Sequence, residues 1–185
     1  MNSSLTLPQH CKSNLEYIAD LRSPEGTTVS LNEITAPLDS EVSRRLAQAL
    51  AGMDPWRRYG FSSEALLRFM APAEASNPRY VICVRDEIAG LAALKHAWMF
   101  GSYLNILAVL PHHQKCGIGS RFLDWFEKSA RLRGERNQFV VTSAFNTSAL
   151  AFYRRHGFEP IANLDGLIND AETEILLRKR LAPTG

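Results

Sequence analysis

The chain has 185 residues, of which 45% are hydrophobic and 22% charged, and its formal net charge is +2. That length suits one domain with a real core, and the small charge without a long basic run argues against nucleic acid as a partner. Cys11, Cys83 and Cys116 match neither a disulfide framework nor metal-ligand spacing, and neither a signal-peptide pattern nor a bilayer-length apolar run is visible, so a soluble cytoplasmic protein with reduced thiols and no membrane partner is expected.

Residues 1–26 are polar, with scattered Pro and Gly and no clear period. They read as an extension, disordered or docked on a neighbour through Leu15, Tyr17, Ile18 and Leu21, and the domain proper is expected over 27–185. Thr28 to Ile34 alternates like a first strand. Asp39 or Ser40 can cap a helix whose stripe is Val42, Leu46, Ala49, Leu50 and Met53, closing near Gly52. Asp54-Pro55 breaks it, and Ser62 or Ser63 can cap a second helix that stops before Pro72.

Tyr80–Val84 is rich in β-formers, with a hairpin turn at Asp86-Glu87 and a partner strand over Ile88–Met99, where Gly90 suggests a bulge. A turn at Gly101-Ser102 leads to another strand, Tyr103–Leu110. The helix after Gly119 puts Ile118, Phe122, Trp125, Phe126 and Ala130 on one face and ends in Arg131, Arg133 and Gly134. Phe139–Thr142 reads as a strand, Asn146 as the N-cap of a short helix ending at Gly157, and Phe158–Ile161 and Glu172–Leu181 as two last strands. The order β-α-α-β-β-β-α-β-α-β-β is mixed α/β, not a series of βαβ repeats.

The informative stretch is Tyr103–Ala130, where an apolar strand ends at Pro111 and a glycine loop, Gln114–Gly119, opens a helix. Unpaired N–H groups of a first helical turn and the helix dipole favour an anion there, and glycines let the backbone approach a phosphate. A dinucleotide fingerprint would need glycine at 122, which is Phe122, and no Lys-Ser or Lys-Thr follows a glycine loop.

LAVLPHHQKCGIGSRFLDWFE resembles the acetyl-CoA-binding motif of the GNAT superfamily of N-acetyltransferases, Arg/Gln-x-x-Gly-x-Gly/Ala. Downstream, NTSALAFYRRHGFEPI is similar to that family's Asn-x-x-Ala-x-x-x-Tyr-x-x-x-Gly-Phe segment. The resemblance covers Thr28 to Leu181 in element order. It implies an α+β fold with a mixed, mostly antiparallel central sheet, split by a V-shaped cofactor cleft and carrying helices on both faces.

The same resemblance implies acetyl-CoA as co-substrate, with no metal. Its pyrophosphate would sit on backbone N–H groups of Gln114, Lys115, Cys116, Gly117, Ile118, Gly119 and Ser120. Its pantetheine would pair with the edge of Leu107, Ala108 and Val109, where a backbone N–H near Val109 would face the thioester oxygen. Asn146 matches the residue that contacts the pantetheine and caps the last helix. Tyr153 matches the tyrosine that protonates the departing thiolate, and its bland alternative is a helix aromatic packed beside Phe152.

Acyl transfer from a thioester needs a neutral, well-placed amine and stabilisation of the oxyanion and thiolate. Some family members carry Glu or Asp where this chain has Asn105, which cannot accept a proton and at most orients a water or the acceptor. Glu64, Glu74 and His96 are candidate bases, and ordered water is the alternative. Cys116 beside a helix N-terminus suggests a ping-pong thiol, yet the family transfers directly and turns this position toward the phosphates. His112-His113 are adjacent and lack a third ligand. For the acceptor, Asp54–Phe61 offers Trp56 and Tyr59 as an aromatic wall and Arg57 or Arg58 as a holder of a carboxylate or phosphate, against a packed Trp with two solvated arginines.

The expectation is therefore direct transfer of acetyl to a primary amine of a small molecule, with a homodimer left open. Two rivals are a non-catalytic acyl-CoA-binding module on the same fold and a protein N-terminal or lysine acetyltransferase. Against the latter, Phe139–Ala144 lacks the Glu-Val-Arg strand usual in the N-terminal branch.

Overall fold

The apolar periods become elements much as the sequence suggests, in a computed structural model that describes residues 5–21, 28–72 and 74–182. The strands are β1 (Leu15–Asp20), β2 (Val29–Ile34), β3 (Arg79–Val84), β4 (Glu87–Trp98), β5 (Gly101–Val109), β6 (Asn137–Ser143), β7 (Glu159–Asp165) and β8 (Thr173–Arg180). The helices are α1 (Ser40–Ala51), α2 (Ser63–Phe69), α3 (Ile118–Leu132) and α4 (Thr147–Arg155). The strands are hydrogen-bonded in the order β1-β2-β3-β4-β5-β6-β8-β7. A short turn joins the antiparallel neighbours β3 and β4, and the loop 166–172 joins β7 to antiparallel β8. The parallel β5–β6 pair needs a crossover, and α3 supplies it. The chain forms two compact units, residues 1–93 with 106–122 and residues 94–105 with 123–185.

In the first unit, Asp39 caps α1 by accepting from the N–H groups of Glu41 and Val42, and Ser62 caps α2 through Ala65. Such caps are worth about 1 kcal/mol each. They start helices whose Val42, Leu46, Leu50 and Leu66 pack on Val81, Ile88, Leu91 and Ile106 of the sheet. Part of the stretch expected as an extension belongs to the same core. Leu5, Leu7 and Cys11 are buried in it, and β1 pairs antiparallel with β2. The sequence hid β1 because it lies at the sheet edge with a register shift between Tyr17 and Ala19, so its apolar residues fall out of period. Residues 1–4 and 22–26 of that stretch lie outside the described residues. A register shift does occur at β4 beside Gly90, where Ile82 faces Gly90 and Cys83 faces Ile88.

In the second unit, β6 runs beside β5 over Gly101–Leu104 and beside β8 along its whole length. Lys179, on one face of β8, donates to Glu127 of α3 at 2.5 Å, and on the other face Trp98 packs edge-on to Phe139 at 4.8 Å. The β4–β5 turn is not Gly101-Ser102 but Met99-Phe100, whose φ values are 48° and 59°. That hairpin geometry normally selects Asn-Gly. Gly101 is required elsewhere, since a Cβ on it would stand 2.0 Å from the carbonyl oxygen of Asn137 on β6. No described helix is long and apolar enough to cross a membrane.

Gly101→Ala is expected to destabilise the protein by about 1–3 kcal/mol, because backbone must move to admit the methyl. Gly52→Ala should leave stability unchanged or raise it by about 0.4–1 kcal/mol, since Gly52 is right-handed and its added Cβ meets nothing nearer than 3.5 Å. Urea denaturation of both variants checks the contrast, and equal midpoints would contradict it.

Candidate functional site

The strand-to-helix loop in the first unit is assembled by backbone first. Leu110 donates its N–H to the Ala89 carbonyl of β4 at 2.8 Å. Backbone polar groups alternate along a strand, so those of Leu107 and Val109 point to the other edge, beyond the last residue of β5 paired in the parallel ladder, Leu104. On that edge the Gln114 side chain donates from Nε2 to the Val109 carbonyl at 2.9 Å, tying the loop to the strand it follows. Lys115 and Gly117 both take left-handed backbone, with φ of 61° and 74°. Turns of this kind curl successive N–H groups toward one concave side.

Helix α3 begins at Ile118, two residues earlier than the sequence suggests, so its first-turn N–H groups, including those of Gly119 and Ser120, have no intrahelical acceptor. Arg121 N–H is the first to close a helical bond, to Gly117 O at 3.1 Å. The Arg121 side chain folds back and donates from Nη2 to the Cys116 carbonyl at 3.1 Å. A Cβ on Gly117 would stand at ordinary contact distance, 3.5 Å, from that guanidinium, so it is the left-handed backbone that favours glycine here. Lys115 is exposed, and Gln114–Arg121 contains no acidic residue. Orphan N–H groups, the positive helix end and two cations suit a phosphate-bearing group. Cys116 is exposed, and its thiol donates to the Gln114 carbonyl at 3.4 Å.

His113 lies 3.7 Å from a Glu87 carboxylate oxygen, while His112 is exposed. No group of three or more His, Cys, Asp or Glu among the described residues is placed to hold a metal ion.

Among the acceptor candidates, Arg57 donates twice to the Asp54 carboxylate, at 3.0 and 3.2 Å. That pairing limits Arg57 as a free holder of an anion, and the three-residue spacing from Asp54 is itself a pairing signal in the sequence. Trp56 is half-buried against the core and Tyr59 stands edge-on to Phe61 at 6.5 Å, so the two aromatics differ in kind. Of the candidate bases in this unit, Glu64 and Glu74 are exposed, and backbone and Ser62 hydrogen bonds hold Glu64 below the usual carboxylate range.

In the second unit Asn105 is exposed on β5. Asn146 caps α4, its Oδ1 accepting from Ala149 N–H at 3.1 Å and from the Ser148 hydroxyl at 3.0 Å. Its amide NH2 is the group left to address a ligand. Tyr153 is only 7% exposed and packs edge-on against Phe152 and Phe158 at 5.3 and 5.7 Å. Burial, and secondarily the neighbouring Tyr103, pushes its phenol well above the ordinary value. Burial also raises Tyr103, with a smaller push from Glu174. Glu174 is 2% exposed, a burial that the sequence conceals because an acidic residue in an alternating strand reads as solvent-facing.

His96 belongs to a buried clasp. Ser102 donates to Glu135 at 2.7 Å, so the His96 Nδ1 at 2.8 Å is the donor to Ser102 Oγ. Burial and then the Arg133 charge lower its pKa, outweighing Glu135.

The family model described as the Acetyltransferase (GNAT) family matches residues 44–158. Among curated proteins, the uncharacterized N-acetyltransferase YjhQ of Escherichia coli (strain K12) is 32% identical over 120 residues, which span 60% of this chain and 63% of that relative. A GNAT family acetyltransferase from Elizabethkingia anophelis, solved with acetyl-CoA bound, superposes with a TM-score of 0.63 at 21% identity, over 83% of this chain and 98% of that one. The ribosomal-protein-S18-alanine N-acetyltransferase from Escherichia coli gives 0.62 at 17% identity, over 85% and 96%. At these identities the two structures share the fold.

The raised Tyr153 phenol carries a stability prediction. Folded protein keeps a proton that the unfolded chain releases near 10.0, so this contribution is complete below that pH and is lost as pH rises toward the folded-state value. The denaturation midpoint should fall above pH 10.0, less steeply in Tyr153→Phe, with phenolate absorbance from this residue appearing only on unfolding. Phenolate absorbance from Tyr153 in the folded state near its ordinary value would contradict the burial argument.

Proposed function

Since the chain belongs to the GNAT acetyltransferase family, we propose that it moves an acetyl group from acetyl-CoA to a primary amine of a small molecule, by direct attack in a ternary complex. The observation that carries this reading is the cradle after β5. Its Gln114 clamp, left-handed Lys115 and Gly117 and orphan first-turn N–H groups form a backbone site for a pyrophosphate. In this reading Gln114–Ser120 hold the pyrophosphate, and the outward edge of Leu107–Val109 pairs with the pantetheine. Val109 N–H stabilises the thioester oxygen as charge develops on it. The cofactor supplies the activated acetyl thioester.

Asn146 donates to the pantetheine through its amide NH2 while its Oδ1 caps α4. As the amine nitrogen bonds to the carbonyl carbon, the carbon–sulfur bond breaks and Tyr153 gives its phenolic proton to the departing sulfur. A phenol raised by burial is fully protonated at neutral pH, so it is present in the form that can donate and is unsuited as a base. The amine proton leaves to water, and water returns a proton to the Tyr153 phenolate, which restores the phenol for the next turnover. His96 is tied into its clasp and exposed Glu64 is held in its charged form, which leaves water as the simpler acceptor.

For the acceptor, the exposed Arg57–Asp54 pair contributes little stability and can exchange partners, so an amine that also bears a carboxylate or phosphate fits this loop better than a polycation. Asn105 favours a second reading, a module that binds acyl-CoA without turnover, because an amide on that strand cannot accept a proton.

Thiol release from acetyl-CoA across an amine panel separates these readings. Turnover with small amines, best with anionic ones, is the expected result, and coenzyme A binding without turnover of any amine would establish the module instead. Tyr153→Phe should lower kcat by about 100-fold with little change in the KM for acetyl-CoA. Unchanged turnover at every pH would remove Tyr153 from the reaction.

A further inference from the structure

In the first unit the sheet face that carries Ile34, Val81 and Cys83 belongs to the core cluster with α1 and α2. By strand alternation the same face of β2 carries Ser30 and Asn32, opposite Cys83 and Val81. These are polar and half-buried where the neighbouring strands present core. Above them lies a cavity of about 290 Å³, walled by Leu7, Leu15 and Tyr17.

Fixed contacts frame this cavity. Leu7 donates its N–H to the Asp86 carbonyl at 2.7 Å, and Thr6 forms an isolated bridge with Glu87, which holds the N-terminal segment against the β3–β4 turn. Lys12 closes the rim by donating to the Asp86 carboxylate at 2.8 Å. On the floor Asn32 donates to Ser30 Oγ at 3.1 Å, which leaves the Ser30 hydroxyl proton and Asn32 Oδ1 for other partners. Cys83 is a neutral thiol, because burial pushes it up to about 12.

Charge decides the ligand. Asp86 neutralises Lys12, whereas exposed Arg85, also part of the lining, makes no side-chain hydrogen bond or ion pair with any described residue. Among the described residues the lining therefore has one uncompensated cation, a hydroxyl donor on its floor and an apolar wall. A cationic amine would meet Arg85, with the Asp86 carboxylate already paired to Lys12, and no metal-ligand set is present among the described residues. The glycine loop at α3 contributes nothing to this lining, so the cavity is separate from the cofactor cradle.

We infer that the cavity between the N-terminal segment and β1–β3 binds a small carboxylate with an apolar body. Arg85 pairs with the carboxylate, Ser30 O–H supplies a second donor, and Leu7, Leu15 and Tyr17 cover the body. The site does not depend on acetyl transfer.

Calorimetric titration of the full chain with hexanoate and benzoate, against hexanamide and hexylamine, tests it. Both carboxylates should bind at least about tenfold more tightly than the amide, the amine should bind weakest, and saturating coenzyme A should displace neither carboxylate. Arg85→Gln should erase the preference for carboxylate without moving the unliganded Tm, since the side chain is exposed. Ser30→Ala should weaken the carboxylates alone. Absence of carboxylate binding at millimolar concentration, equal binding of acid and amide, binding indifferent to Arg85→Gln, or displacement by coenzyme A would each overturn the assignment.

Discussion

The first N–H groups of an α-helix have no acceptor within the helix, and a dry, unpaired one costs about 1–3 kcal/mol. Most helices in this chain solve the problem locally: Asp39, Ser62 and Asn146 each turn a side-chain oxygen back onto the first turn. The start of α3 is built differently. Gln114 uses its side chain on the Val109 carbonyl behind it, and Arg121 uses its guanidinium on the Cys116 carbonyl, so both long polar side chains hold the loop's carbonyl side. The N–H side is left for an anion. Left-handed Lys115 costs about 1–2 kcal/mol of backbone strain, accepted here where a concave row of donors results.

The second half of the proposed chemistry rests on burial. Tyr153 sits between Phe152 and Phe158 with its phenol nearly out of water, beside Tyr103, which in turn feels Glu174. Low polarity around a phenol makes it hold its proton more strongly, so an idle ionisation at neutral pH is negligible and the proton passes only to a base formed beside it, a thiolate that the same low polarity makes more basic. The same packing ties the proposed chemistry to stability: an aromatic that is core and is also proposed as the acid cannot be replaced without disturbing one of the two. Glu174 has the opposite character, a carboxyl inside a strand whose neighbours in register are Ser143 and Leu164.

Local chemistry was readable in the sequence wherever a residue acts on its own neighbours. The caps at Asp39, Ser62 and Asn146, the left-handed ends at Gly134 and Gly157, and the glycine loop all follow from short-range rules. Strand β1 was not readable, because an edge strand with a bulge has no period. The Met99-Phe100 turn was not readable either, since its left-handed residues are ones that rarely adopt that conformation and the nearby glycine serves a close approach to β6. For the site, the loop and its cofactor class were legible through two motifs. Three features needed tertiary contacts: the Gln114 clamp, the His96–Ser102–Glu135 clasp that occupies a candidate base, and the polar floor at Ser30 and Asn32. None joins residues that a sequence period would place together.

Backbone donation at the head of α3 is the central physical claim, and amide resonances report it residue by residue. Two-dimensional NMR of nitrogen-labelled protein, with and without coenzyme A, should show the largest shifts at Val109 and from Cys116 to Ser120, together with slowed hydrogen exchange at Ile118, Gly119 and Ser120. Binding of coenzyme A with those amides unmoved and unprotected would contradict the account.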